Sequence, residues 1–256
     1  MVQIQQLTAI LIAKNAAQTI AESLASVSFC ADVIVLDSGS DDATVSIARA
    51  QGARVIETDW PGFGIQKQRA VSAVSTPWAL SIDCDEVVSD ALRLEILDVL
   101  DDPEFAVYRM PRLNHLHRRP VRCAGWYPDY VERLFRVDAA QFNAAPVHES
   151  LDYHGACGTL KAPLLHYTYD SLDAAIVKLN RYSSLAAMRL RQRMQQGQRR
   201  IGPWTPPLRA CFRFLYVYGV RGGWRGGLDG LTVSLLQAME VYFKYLKALD
   251  SFTALD

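Results

Sequence analysis

Between Leu7 and Ile82 short apolar runs alternate with segments whose apolar residues return every three or four positions, and few folds satisfy that alternation. "LTAILIA", Leu7 to Ala13, is continuous and apolar, which predicts a strand buried on both faces. Ile20, Leu24 and Val27 follow at helical spacing. The pattern then repeats: a strand from Val33 to Leu36, a Ser/Gly/Asp turn, a helix capped near Ser40 and ended by Gly52, and a strand from Arg54 to Glu57. A third helical stretch covers Gln66 to Val74, and Trp78 to Ile82 reads as a further strand. Strands separated by helices of this length need crossover connections, so the expectation is an α/β fold with a parallel sheet. Ligands of such sheets bind beyond the carboxyl ends of the strands, where Asp37 and Asp83 both fall.

Beyond residue 107 the alternation stops. "YRMPR" and "VERLFRV" read as strands of a more irregular region, and residues 172 to 196 as a long basic amphipathic helix. A tail follows in which Arg209, Arg213, Arg221 and Arg225 are interleaved with Trp204, Phe212, Phe214, Tyr216, Tyr218 and Trp224. It ends in a mostly apolar helix, Leu228 to Leu249, whose Asp229, Glu240 and Lys244 argue against a bilayer span. Lying in a membrane interface and packing on the body of the protein both remain open for this helix.

The 256 residues carry no net charge, but its distribution is uneven. Residues 1 to 107 hold six Lys/Arg against sixteen Asp/Glu, net −10, and residues 108 to 256 hold twenty-one against eleven, net +10. An acidic half can hold a cation, and a basic half can face phosphates or lipid headgroups. The five cysteines are scattered without a CxxC pair, so neither a disulfide framework nor a zinc site is indicated, and a reducing cytosolic setting fits. The N-terminal apolar stretch lacks a basic lead, so no signal peptide is expected.

In "ALSIDCDEVVS", Ala79 to Ser89, Asp83, Asp85 and Glu86 crowd the end of a predicted buried strand. Magnesium and manganese prefer carboxylate oxygens and usually share their shell with substrate phosphates, so a cation would relieve the repulsion. Two enzyme classes place DxD at a strand end. In haloacid-dehalogenase-type phosphatases the first Asp, here Asp83, is a nucleophile on the first strand; in this chain three strands precede it. Nucleotide-sugar glycosyltransferases have the nucleotide-binding sheet first and DxD after it, which is the order found here. A non-catalytic binding module that keeps the fold is the third reading.

"TAILIAKNAAQTIAESLASV", "ADVIVLDSGSDDATVSIARAQGARVI", "WPGFGIQKQRAV", "WALSIDCDEVVS", "GWYPDYVERLFR", "PVHE" and "LLHYTYDSLDAAIVKLNRYSS" together resemble family 2 glycosyltransferases, in the branch of lipopolysaccharide core beta-1,4-glucosyltransferases. The resemblance implies a GT-A fold: a Rossmann-like, mostly parallel nucleotide-binding sheet flanked by helices, an irregular acceptor-binding region and a helical C-terminal extension. Its domains would be 1–170, divided into a nucleotide-sugar half (1–107) and an acceptor half (108–170), and a basic aromatic extension, 171–256. It also implies inversion at the anomeric carbon, a UDP-hexose donor with UDP-glucose as the first expectation, and a divalent cation, Mg2+ or Mn2+.

By the same resemblance, Ala13, Asn15 and Asp37 would surround the nucleotide base, Asp83 would contact the ribose or sugar, and Asp85 would bind the metal. Lys67 lies in the nucleotide loop, where Gln68 replaces an Asn common in relatives. Glu149 of "PVHE" would be the general base, with Asp129 as competitor. His166 would complete the metal shell or be a hydrogen-bonded core residue. Arg181 would reach the diphosphate, and Arg133 and Arg136 phosphorylated acceptor sugars, while Glu86 would cap the next helix or support Asp85. The implied partners are a lipid-linked lipopolysaccharide-core acceptor and an anionic membrane surface at the cytoplasmic face of the bacterial inner membrane; no nucleic acid is expected.

Overall fold

The computed structural model describes residues 4–143, 150–198 and 200–253. It divides into two compact units, the first formed by the chain up to Arg112 with Asp129–His166, the second by Leu113–Pro128 with the chain from Tyr167 onward.

The first unit opens with the predicted alternation: β1 (Ile4–Ala13), α1 (Ile20–Ser26), β2 (Cys30–Asp37), α2 (Thr44–Ala50), β3 (Arg54–Glu57), α3 (Phe63–Ser72) and β4 (Trp78–Ser81). It continues through β5 (Glu86–Val88) and α4 (Asp90–Asp101) into β6 (Val107–Leu116), whose last residues belong to the second unit, as does β7 (Arg119–Pro120). After these come β8 (Asp129–Arg136), β9 (Ala140–Phe142), β10 (Leu151–Tyr153), β11 (Cys157–Thr159) and β12 (Leu164–Tyr169). The main sheet runs β3-β2-β1-β4-β8-β6-β12-β5, and β9 and β10 form a separate antiparallel pair.

The pairs β3-β2, β2-β1 and β1-β4 are parallel, and Ala13 lies opposite Asp37 in the β1–β2 register. Beyond β4 the sheet is mixed: β8 pairs β4 antiparallel, aligning Arg136 with Trp78, β6 pairs β8 antiparallel across an irregularity between Tyr108 and Arg109, and β11 pairs β6 parallel. β1 is buried on both faces, as its continuous apolar run requires. Leu7, Ala9, Leu11 and Ala13 pack with Ile20 and Leu24 of α1 and with Leu92, Ile96 and Leu100 of α4. Ile10 packs on the other side with Ala70 and Val71 of α3 and with Phe135 of β8.

Two helix starts differ from expectation for local reasons. Ser40 does not cap α2, because its hydroxyl donates to Asp37; Asp42 instead accepts from the Thr44 N–H at 2.9 Å and from the Thr44 hydroxyl. Glu86 does not cap α4: the Ser89 hydroxyl accepts from the Leu92 N–H at 3.2 Å, leaving Glu86 in β5.

In the second unit α5 (Leu172–Gln195), α6 (Thr205–Leu215) and α7 (Gly227–Thr253) gather around small apolar clusters. Ala187 and Leu190 of α5 meet Tyr245 and Ala248 of α7, and Ala175 and Leu179 meet Leu236. Leu116, Val121 and Ala124 pack with Val217 and Val233. Lys247 fastens α7 to α5 by donating to the Asn180 carbonyl at 2.9 Å and to Ser183 and Ser184 hydroxyls at 2.8 Å. The apolar stripe of α7 is therefore a packing face.

Candidate active site

The acidic loop is shaped by its own backbone. After β4 the Ile82 N–H donates to the Ile10 carbonyl at 3.1 Å, and the chain turns so that the Glu86 N–H donates to the Asp83 carbonyl at 3.0 Å. The Glu86 carboxylate returns the contact, accepting from the Asp83 N–H at 2.9 Å. Cys84 faces inward: its thiol donates to the Ile12 carbonyl at 3.3 Å, and its carbonyl accepts from the Ser23 hydroxyl at 2.9 Å. Asp83 and Asp85, on either side of Cys84, are thereby fixed at the carboxyl edge of the sheet.

The charges crowded there are met by two arginines, a lysine and an imidazole of the protein. Arg133 of β8 donates through Nη2 to Asp83 Oδ2 at 2.6 Å and to Glu86 Oε1 at 2.7 Å. Arg112 of β6 reaches the same Glu86 oxygen at 3.2 Å and grips Asp129 Oδ2 through Nε and Nη2 at 3.0 and 2.6 Å. Lys67 Nζ stands 3.3 Å from Asp83 Oδ1, and His166 Nε2 stands 3.3 Å from Asp85 Oδ2. The Glu86 side chain is fully buried and that of Arg133 is 8% exposed, so each needs the other's charge. Burial pushes the Asp83 carboxyl up, but Arg133 and Lys67 outweigh it and hold the group well below the usual carboxylate range. Burial likewise pulls the Arg133 guanidinium down, and Asp83 and Glu86 more than reverse it.

Arg133 is thus engaged with the acidic loop, which corrects its reading as a ligand of acceptor phosphates. Arg136 pairs with Asp138 at the surface, at 2.7 Å. Reading the sequence missed Arg112 and Arg133 as the counter-charges of the loop. The available signal was an arginine among the apolar residues of "VERLFRV", since a charged side chain buried within a strand requires a carboxylate partner.

At the neighbouring strand ends, Asp37 is buried and accepts from the Gly39 N–H at 2.9 Å, the Ser40 N–H at 2.8 Å and the Ser40 hydroxyl at 2.5 Å. Asn15, at φ 52°, accepts from the Asp41 N–H at 3.0 Å and donates its own N–H to the Ser40 hydroxyl at 2.9 Å. The Ala13 carbonyl accepts from the Ser38 N–H at 2.9 Å. Ala13, Asn15 and Asp37 therefore form one cradle, and Lys67, Asp83, Asp85 and His166 a second group in the same unit. Gln68 uses its extra length to accept from the Phe142 N–H at 2.8 Å, tying α3 to β9. Arg181 lies on the exposed side of α5 in the second unit. Glu149 lies outside the described residues.

Asp85 and His166 supply a carboxylate and an imidazole side by side. Among the described residues no group of three His, Cys, Asp or Glu side chains is placed to hold a metal alone. A hard divalent cation that takes further oxygens from a diphosphate needs only one or two protein carboxylates, so this donor pair fits a shared site. Asp129 offers a different chemistry: Arg112 holds its Oδ2, while Oδ1 has no hydrogen-bond partner among the described residues.

The family model described as "Glycosyl transferase family 2" matches residues 8–136. The chain belongs to glycosyl transferase family 2. The matched segment spans the first cradle and all of the second group except His166, and it runs through β8, so it includes Asp37, Lys67, Asp83, Asp85, Arg112, Asp129 and Arg133. The α/β sheet with its helices and helical C-terminal region is the GT-A architecture expected of such an enzyme. The lipopolysaccharide core biosynthesis glycosyltransferase LpsC of Rhizobium meliloti is 29% identical, over 94% of this chain and 91% of its own length. An uncharacterized glycosyltransferase of Rickettsia felis is 28% identical, over 96% and 90%. The crystal structure of glucosyl-3-phosphoglycerate synthase from Mycobacterium tuberculosis with Mn2+, UDP and glucosyl-3-phosphoglycerate shares 27% identity over 44% of this chain and 46% of that one, with a TM-score of 0.37.

Proposed function

We propose that this glycosyltransferase is an inverting, metal-dependent hexosyltransferase that moves glucose from UDP-glucose onto the inner core of a lipid-linked, lipopolysaccharide-type acceptor. The observation that carries the reading is the pairing of Asp85 with His166 beside Asp83 and Lys67 at the end of β4. The acceptor class is supported by the nearly full-length similarity to LpsC. Because that acceptor is carried on a lipid, the protein works peripherally at the cytoplasmic face of the inner membrane, against anionic lipid.

In this reading Ala13, Asn15 and Asp37 hold the nucleotide base, and Asp83 orients the ribose or sugar. Lys67 meets the diphosphate. Asp85 and His166 hold Mg2+ or Mn2+, which when bound offsets charge growing on the leaving diphosphate. Asp129 Oδ1 or Glu149 takes the proton of the acceptor hydroxyl as that oxygen bonds to the anomeric carbon. The bond from that carbon to UDP breaks on the opposite face, and the configuration inverts.

The phosphatase reading is disfavoured, since an attacking Asp83 would have to leave both Arg133 and Lys67. Thermal-shift measurement with UDP-glucose, with and without Mn2+, tests the donor site, because a ligand bound by the folded state raises Tm. A shift that requires both ligands, together with transfer to a lipid-linked core acceptor, supports the proposal. No shift with any nucleotide sugar would favour the non-catalytic module.

A further inference from the structure

Between Asp173 and Asp229 the chain carries eleven Lys/Arg and no Asp/Glu. Within this stretch Trp204, Leu208, Phe212 and Leu215 recur at spacings of four, four and three, which places them on one face of α6 and its N-terminus. That face is open: Leu208 and Phe212 are each 66% exposed. Val220, Trp224 and Leu228 extend the exposed apolar surface through the turns that lead into α7. Among the described residues no helix is long and apolar enough to cross a membrane.

Beside this surface the second unit has a cavity of about 440 Å³ lined by Arg122, Arg221 and Arg225 with Tyr127 and Trp224. None of the three guanidiniums has a carboxylate or carbonyl partner among the described residues. Their positions are set by packing. Arg122 lies over the Tyr127 ring at 4.8 Å and Arg225 over Trp224 at 5.1 Å. Arg221 rests on Gly125, where a Cβ would stand 2.6 Å from its Nε. Three like charges held around one cavity repel until an anion enters, and guanidinium forks match phosphate oxygens in pairs.

We infer that the second unit docks on a membrane through the exposed face of α6, and that the pocket of Arg122, Arg221 and Arg225 receives the phosphate of an anionic lipid headgroup. An apolar face bordered by arginines is the pattern of an interfacial helix, and an acid-free basic stretch complements an anionic leaflet. Trp224 belongs to both parts, since it lines the pocket and is exposed among the apolar residues. The inference deepens the lipid-linked acceptor reading and rests on it for its biological setting.

The test is co-sedimentation of the full chain with vesicles of phosphatidylglycerol and phosphatidylcholine, and with phosphatidylcholine alone. The wild type is expected to bind the anionic vesicles preferentially, and less at high salt. Each arginine removed should weaken binding by roughly 5-fold, and Arg122→Gln/Arg221→Gln/Arg225→Gln together by about 100-fold. Undiminished binding by the triple variant, or by Arg225→Gln alone should the triple variant not fold, would overturn the headgroup site. Leu208→Ser/Phe212→Ser should reduce binding to anionic vesicles, and wild-type binding by that variant would overturn the docking face. Inorganic phosphate alone should leave Trp224 fluorescence unchanged at submillimolar concentration; saturable quenching there would make the pocket a free-phosphate site and overturn the lipid assignment. Asp85→Ala should bind vesicles like the wild type while losing transfer, so failure of this inference and failure of the proposed reaction are read separately.

Discussion

The acidic loop after β4 and the arginine pocket of the second unit treat charge in opposite ways. In the loop every carboxylate faces a nitrogen-bearing side chain of the protein: Asp83 meets Arg133 and Lys67, Glu86 meets Arg133 and Arg112, and Asp85 meets the His166 imidazole. In the pocket Arg122, Arg221 and Arg225 are braced by rings and a glycine, with no carboxylate partner among the described residues. The first arrangement fixes geometry before a ligand arrives, because a buried ion pair tolerates little movement. The second leaves charge available at the surface. Their difference separates positioning from capture, and it can be broken at several points.

The largest effect is expected from Asp85→Ala, which removes the carboxylate beside His166. Transfer should fall by at least about 10³-fold, equivalent to several kcal/mol of transition-state stabilisation, and steady-state kinetics would check it. Chelation of divalent cations should abolish the wild-type rate in the same assay, and re-addition of Mn2+ should restore it. An Asp85→Ala enzyme at full rate would remove this residue from the metal site.

Next comes Arg133→Met, which leaves Asp83 and Glu86 without their shared guanidinium. The loss should be about 3–5 kcal/mol, seen calorimetrically as a Tm roughly 10 °C lower. An unchanged Tm would show that Lys67 and Arg112 suffice to hold the loop.

A smaller effect concerns acid. The folded-state pKa of Asp83 lies below its unfolded value of about 3.9, so its contribution to stability is complete above that pH. It is lost as pH falls through the window toward the folded pKa. Denaturant titrations below pH about 4 should therefore show a steeper loss of stability for the wild type than for Asp83→Asn. Parallel curves would mean that the carboxylate gains nothing from its partners.

The smallest effect is expected at a surface ion pair of the second unit. Arg119 grips Asp229 through Nε and Nη2 at 2.9 and 2.6 Å, yet its side chain is 57% exposed. Water and salt screen such a pair, so Arg119→Gln should leave Tm unchanged within error. A clear drop would show that fork geometry at the surface can rival burial.

What was legible in the sequence follows the range of the interactions. β1 to β4 and the helices between them could be read because their apolar spacing is local. The start of α2 could not, because Ser40 turns back to Asp37 and the first N–H of the helix, that of Thr44, goes to Asp42. The strands after residue 107 are short, and their partners are decided by pairing with distant segments. The same holds for the site. Asp37, Asp83 and Asp85 were visible at strand ends, whereas Arg112 and Arg133 meet Glu86 from 26 and 47 residues away. No short-range pattern announces such a meeting. Gln68 could be seen to differ from its relatives, but its bond to Phe142 becomes visible only when α3 and β9 are packed.

The cysteines open a chemical route to the docking face. Cys30 is buried, which pushes its thiol up to about 12, and burial also raises that of Cys84, so neither offers thiolate to a reagent at neutral pH. Cys211 is the exposed cysteine, and its place in α6 flanks the face of Leu208, Phe212 and Leu215. A maleimide dye or nitroxide would therefore attach at the edge of the surface in question while Cys84 keeps the aspartates in position. The native chain carries its own attachment point for a depth-sensitive probe.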